Sequence, residues 1–214
     1  MRSVRSTLWA QVPGGRAVPK LVCGSMPLLK GLCHIEDAAN EAEGFVRFHI
    51  ECPHCGADHP LMWGGKDKRY GFKWDRGHPQ TVHHVCPHCH ESITQADYLR
   101  GGMPQQGGWV CESTGKRYGT DRTWRDSAGT PCRPPRSLAV HVRTAYSPQR
   151  AWSHIVEEFE NDLKALEKGD AGPMQLFVNE TLGEHGSWPA SAPTSTCCRP
   201  VPSPTSCRRC PWAA

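Results

Sequence analysis

A tetrapeptide that occurs twice, Cys52-Pro53-His54-Cys55 and Cys86-Pro87-His88-Cys89, constrains this chain more than any other feature. Two cysteines separated by two residues present two sulfurs to one ion without strain. A tetrahedral Zn²⁺ takes four such thiolates at about 2.3 Å. Cys52, Cys55, Cys86 and Cys89 are therefore the predicted ligands of one structural Zn²⁺. With four protein sulfurs the site is closed and leaves no position for a reacting water, so the metal is read as a keystone of the fold and not as a catalyst. Thirty residues separate the knuckles, more than the roughly 15–20 of compact double-knuckle sites. The insert is expected to be a hairpin or loop excursion.

Thiol redox chemistry is the competing use of Cys-Pro-His-Cys, and it needs a helix behind the motif to stabilise the thiolate. Gly56-Ala57-Asp58-His59-Pro60 cannot start one there, and a redox motif has no reason to occur twice. Seven histidines lie near the knuckles: His49, His54, His59, His83, His84, His88 and His90. They are read as groups that point to solvent or hydrogen-bond a thiolate, not as ligands. Cys23, Cys33, Cys111 and Cys132 have no partner spacing and read as small apolar or surface residues. Cys207-Arg208-Arg209-Cys210 is formally a third pair, but it stands in a biased tail beside Cys197-Cys198, and its spacing reads as accidental.

The chain has 214 residues, of which 37 % are hydrophobic, with 19 Pro and 21 Gly. A large single core is not expected from this composition; an ordered middle with loose ends is. The net charge of +4 is a weak pointer to nucleic acid, because basic and acidic residues are mixed along the chain. There is no apolar run long enough to span a membrane and no leader-like segment. The chain reads as cytoplasmic, where twelve cysteines suit a metal better than disulfides.

In chain order, residues 1–17 show no periodicity and read as a disordered lead. Residues 19–23 read as a buried strand, and 35–43 as a short helix. Val46, Phe48 and Ile50 alternate with Arg47 and His49 in a half-buried strand entering the first knuckle. Leu61-Met62-Trp63 suggests another strand. Tyr70-Gly71-Phe72-Lys73-Trp74 alternates aromatics with small or basic residues, as a base-stacking surface would, although covering the edge of a small metal-centred core accounts for it more simply. Residues 81–85 deliver the second knuckle, and a helix follows over 94–100. Arginines then accumulate in a turn-rich stretch, at 117, 122, 125, 133 and 136. Leu138, Val140 and Val142 share one face of a strand. Ser147 as N-cap and Pro148 at the first position predict a helix carrying Trp152, Ile155, Val156, Phe159, Leu163 and Leu166 on one stripe. Met174, Phe177, Val178 and Leu182 mark a second helical segment. From His185 the composition shifts to Pro, Ser, Thr, Cys and Arg, as a disordered or out-of-frame tail would. The fold class is α+β: a small zinc-ribbon-like β unit plus amphipathic helices between disordered ends.

Catalytic constellations are not visible. Gly65-Lys66-Asp67 and Gly115-Lys116-Arg117 lack the upstream glycine and the hydroxyl of a phosphate-binding loop. Asp58, Asp67, Asp75, Asp97, Asp121, Asp126, Asp162 and Asp170 read as loop or helix-surface positions, not as a two-metal nuclease centre.

An ordered set of segments nevertheless looks familiar: Gly24-Ser25-Met26-Pro27, the run from Gly31 to Glu36, the run from Arg47 to Gly56, Tyr70 to Trp74, Trp109 to Glu112, Thr144 to Pro148 and Phe177 to Glu184. Together they resemble the middle of the large terminase subunit of lambda-like tailed phages, over residues 18–184. The resemblance implies a DNA-packaging motor. Such a motor has an ATP- and Mg²⁺-using translocation part and a metal-dependent endonuclease part that cuts concatemers. Its partners are a small terminase subunit, the portal of the prohead and double-stranded DNA. On this reading residues 18–44 are the end of the ATPase part, 45–110 a zinc-ribbon-like region opening the endonuclease part, and 111–184 its first strand and helices. Met26 stands where the family usually has Thr, and the sequence departs at His185, before the first nuclease aspartate. The expectation is a fragment without ATPase or nuclease activity of its own. A stand-alone zinc-ribbon module that binds nucleic acid or protein through Tyr70 to Arg76 is the alternative.

Overall fold

The computed structural model describes residues 8–11, 21–27 and 33–185. The tail with Cys197, Cys198, Cys207 and Cys210 and most of the lead lie outside the described residues. Where the lead is described it does carry regular structure: β1 (Leu8–Gln11) pairs antiparallel with β2 (Leu21–Gly24). The strand expected over residues 19–23 is thus present where it is described, but it is not buried, because Leu21 and Val22 are exposed on this two-stranded ribbon.

After α1 (His34–Asn40), the central strand is β3 (Gly44–Glu51). On one edge β11 (Leu138–His141) lies parallel to it, and on the other β8 (Gly108–Cys111) lies antiparallel. The short strands β9 (Arg117–Tyr118) and β10 (Trp124–Arg125) extend the sheet outward from β8. β4 (Asp58–Pro60) pairs with the far end of β3. A second, three-stranded antiparallel sheet is built from β5 (Gly71–Asp75), β6 (His78–Val85) and β7 (Ser92–Thr94). The insert between the knuckles is thus a hairpin, as its length implies.

Leu61-Met62-Trp63 is not the strand that its apolar run suggests. Side chains take three of its backbone groups, and the Phe72 N–H donates to the Met62 and Trp63 carbonyls. The Leu61 N–H donates to the Tyr146 hydroxyl at 2.8 Å, the Leu61 carbonyl accepts from Arg143 at 2.9 Å, and the Met62 N–H donates to His84 Nε2 at 3.2 Å. The chain then crosses Gly71, where φ is +91° and an added Cβ would lie 2.7 Å from Gly64 Cα. Only glycine permits this approach.

The helices are α2 (Gln95–Arg100), α3 (Met103–Gln106), α4 (Trp152–Glu167) and α5 (Gly172–Leu176), followed by a π-helical turn at Phe177–Thr181. Thr94 and Asp97 form a reciprocal capping box at the start of α2. Ser147-Pro148 does not start α4, which is a correction. The helix begins at Trp152 because Gln95 supplies the cap from another element: its Oε1 accepts the Trp152 N–H at 2.8 Å and its Nε2 donates to the Arg150 carbonyl at 2.9 Å. Residues 144–146 form a 3-10 turn instead.

The apolar stripe of α4 is covered, not exposed. Trp152, Ile155, Val156 and Phe159 are buried, and α4 packs on β6 and α5. Trp63 stands at the centre of this core, edge-on to both Phe159 and Phe177 at 5.2 Å. The exposed large apolar residues lie elsewhere. Leu138, Val140 and Val142, which share one face of a strand by their spacing, are 41 %, 54 % and 54 % exposed. The period of two is there, but β11 is the edge strand, and the face that carries these three residues is left exposed among the described residues while α1 packs on β11.

Candidate metal centre

Each knuckle is delivered by a strand, and the two strands belong to different sheets. β3 ends just before Cys52 and β6 ends just before Cys86. The backbone then folds identically in both. The Cys52 N–H donates to the Ala57 carbonyl and the Gly56 N–H returns to the Cys52 carbonyl, at 3.0 and 2.9 Å; the Cys86 and His90 N–H groups do the same at 3.0 and 3.1 Å. The turn needs a left-handed residue in fifth place, filled by Gly56 (φ 71°) and by His90 (φ 62°). The two turns face each other. All four sulfurs lie within 4.8 Å of one another, with Cys52 to Cys89 at 3.8 Å and Cys55 to Cys86 at 3.9 Å. Sulfurs at the corners of a tetrahedron with bonds of about 2.3 Å are about 3.8 Å apart. The donor set therefore fits a tetrahedral thiophilic dication.

As bare thiols the four groups would differ. Burial pushes Cys52 up to about 12, while the Ala57 N–H holds exposed Cys55 below the ordinary thiol value. A dication inverts that preference, since only thiolates ligate and metal uptake releases their protons.

No histidine joins this group among the described residues. His54 Nε2 reaches the Ser92 carbonyl at 3.2 Å, bracing the first knuckle against β7. His59 and His84 are not solvent-facing as expected but fully buried, with parallel rings 5.2 Å apart. His49 is mostly buried, and its Nε2 has no hydrogen-bond partner. Burial holds all three below the ordinary imidazole value. They are held neutral in the interior.

Sequence reasoning passed over a third turn of the same design. The Cys111 N–H donates to the Lys116 carbonyl and the Gly115 N–H to the Cys111 carbonyl, both at 2.8 Å, with Gly115 at φ 70°. Thr114 stands where a second cysteine would complete a pair. Burial alone would raise the Cys111 thiol, but the hydroxyls and N–H groups of Ser113 and Thr114 bring it to about 7. The signal in the sequence was Gly115, four residues after Cys111, as Gly56 is after Cys52.

The aromatic insert is used inside the molecule. Phe72 is buried, the Trp74 indole donates to Glu160 at 3.0 Å, and Lys73 donates to the Gly65 carbonyl at 2.6 Å. Tyr70 to Arg76 is therefore a packing surface against α4, and the stand-alone binding module loses the face assigned to it.

Residues 17–109 match the family described as phage terminase large subunit gpA, ATPase domain, and residues 137–193 match terminase large subunit gpA, endonuclease domain. The large terminase subunit of Enterobacteria phage P21 is 38 % identical over 170 residues, covering 79 % of this chain and 25 % of that protein. That of Escherichia phage lambda is 37 % identical over 178 residues, covering 82 % and 26 %. The chain belongs to the phage terminase large subunit family. It spans about a quarter of the length of these curated relatives, and no solved structure matches it. The ATPase-domain match runs through both knuckles, whereas the motif resemblance assigns them to the start of the endonuclease part. The two matched regions of this terminase chain share one sheet and one core. β11, from the endonuclease match, lies on β3, and α4 lies on β6. No helix among the described residues is long and apolar enough to cross a membrane.

Proposed function

We propose that this chain is the metal-clamped junction between the ATPase and endonuclease parts of a DNA-packaging terminase large subunit, working in the host cytoplasm. The observation that carries this reading is the sulfur cluster, which ties β3 to β6, the two strands of the ATPase match on which β11 and α4 of the endonuclease match lie. Zn²⁺ held by Cys52, Cys55, Cys86 and Cys89 would act as a staple. ATP hydrolysis, Mg²⁺-dependent cleavage, and association with a small subunit, portal and duplex DNA are activities of the whole motor. The sequence holds no phosphate-binding loop, and no cluster of three or more carboxylates is found among the described residues. The chain by itself should neither hydrolyse ATP nor cut DNA.

Metal analysis of the purified chain tests the clamp. One zinc per chain is expected, with loss of that zinc in Cys86→Ser. A metal-free wild type, or full zinc content in the variant, would sink the assignment. Cleavage of plasmid DNA with Mg²⁺ or Mn²⁺, or turnover of ATP, would show that an active centre has been overlooked.

A further inference from the structure

Residues 110–136 lie between the two matched regions and belong to neither. We propose that this segment, the β9–β10 ribbon with its flanking turns, is a contact surface for the phosphate backbone of double-stranded DNA. The inference rests on the packaging reading above and adds where on this chain the duplex would touch.

Charge is the first observation. The segment carries Lys116, Arg117, Arg122, Arg125, Arg133 and Arg136 against Glu112, Asp121 and Asp126, which accounts for most of the chain's net +4. All three carboxylates are engaged internally. Glu112 pairs with Arg47 at 2.7 Å and Asp121 with Arg125 at 2.6 Å, while Asp126 accepts the N–H groups of Ala128 and Thr130, each at 2.9 Å. Arg117 is paired with Asp58. Among the described residues no carboxylate forms an ion pair with Lys116, Arg122, Arg133 or Arg136. Arg122, Arg133 and Arg136 are exposed.

Shape is the second. β9 and β10 form a narrow two-stranded extension at the outer edge of the sheet, with Tyr118 opposite Trp124 and their rings 5.3 Å apart. Arg122 stands in the turn at its tip in a left-handed backbone (φ 60°). The Cys132 N–H donates to the Trp124 carbonyl at 2.8 Å, which holds Arg133 next to β10, and the run then crosses to the start of β3, where the Arg136 N–H donates to Glu43 at 2.6 Å. A ribbon of this width fits the major groove of a duplex, and guanidinium forks suit phosphate oxygens. Tyr118 and Trp124 pack against each other with their rings tilted by 36° and are half-buried, so unpaired bases are the less fitting ligand.

Fluorescence anisotropy of a labelled duplex of about 24 base pairs, long enough to present two turns of groove, with the zinc-loaded chain across a salt series tests the proposal. Neutralising Lys116, Arg122, Arg133 and Arg136 together to Gln should weaken binding at least tenfold at low salt. It should also flatten the salt dependence by about 0.9 in log–log slope for each phosphate that the variant no longer neutralises. A control variant neutralises Lys66, Lys68, Arg69 and Arg100, which are exposed elsewhere, and removes the same charge. Equal weakening in the control would show net charge alone and overturn the surface. So would an unaffected ribbon variant, with the packaging reading intact in both cases. A wild type that binds no duplex, or binds single strands more tightly, would also reject the proposal, while the zinc content above judges the clamp separately.

Discussion

Tyr146 shows how much one side chain can hold. Its hydroxyl donates to the Phe48 carbonyl at 2.6 Å and accepts the Leu61 N–H at 2.8 Å, joining β3 to the irregular segment that replaces a strand. Removing the oxygen leaves two part-buried backbone groups unpaired, at about 1–3 kcal/mol. Tyr146→Phe should therefore lower unfolding stability by that amount in urea titration, with an unchanged denaturant slope. An unaltered midpoint would mean that water replaces the hydroxyl. His49 predicts a pH effect. Burial lowers it to about 4 against an ordinary value of 6.5, so between those values the unfolded chain binds the extra proton. Stability from this group is complete above pH 6.5 and is lost as pH falls towards 4. His49→Gln should flatten the fall of the thermal midpoint across that same pH window relative to wild type. An identical slope in the variant would place the effect elsewhere.

The secondary-structure elements differ in how readily the residues disclose them. The α4 stripe is legible because Trp152, Ile155, Val156 and Phe159 recur at the helical period. Its start is not, because the cap comes from Gln95, 57 residues away. A local rule that scores Ser147-Pro148 cannot see that contact. Gln95→Ala should cost about 1 kcal/mol, read as a lowered thermal midpoint with helix content retained, and Gln95→Glu should recover part of it, since the carboxylate can still accept the Trp152 N–H. An alanine variant as stable as wild type would reduce the bond to a passive contact. The knuckles are the opposite case. Their turn is written in four or five consecutive residues, so the same backbone pattern recurs at Cys52, at Cys86 and, with one cysteine missing, at Cys111.

Across the molecule, the sulfur cluster joins two separate sheets, while α4 closes the core behind them. A ligand that binds only the folded state stabilises it by about 4 kcal/mol when present at a thousand times its dissociation constant. Stripping the metal with a strong chelator should therefore lower the thermal midpoint markedly, and re-adding Zn²⁺ should restore it. A chain that melts at the same temperature with and without chelator would show that the core suffices. The same view explains the exposed face of β11. Leu138, Val140 and Val142 alternate as a buried strand would, and alternation reports which residues share a face, not whether another layer lies on it.

The knuckle cysteines, the strands that lead into them, the hairpin between them and the family were all readable from the residues, because each depends on spacing over a few positions or on an ordered set of short segments. Other features depended on which distant groups meet. Side chains of Tyr146, Arg143 and His84 pair the backbone at 61–62, Gln95 sets the first residue of α4, and His59 and His84 are buried instead of facing water. A hydrogen bond or a burial formed across dozens of residues leaves no periodic trace in the chain, and only the folded arrangement brings its two ends together.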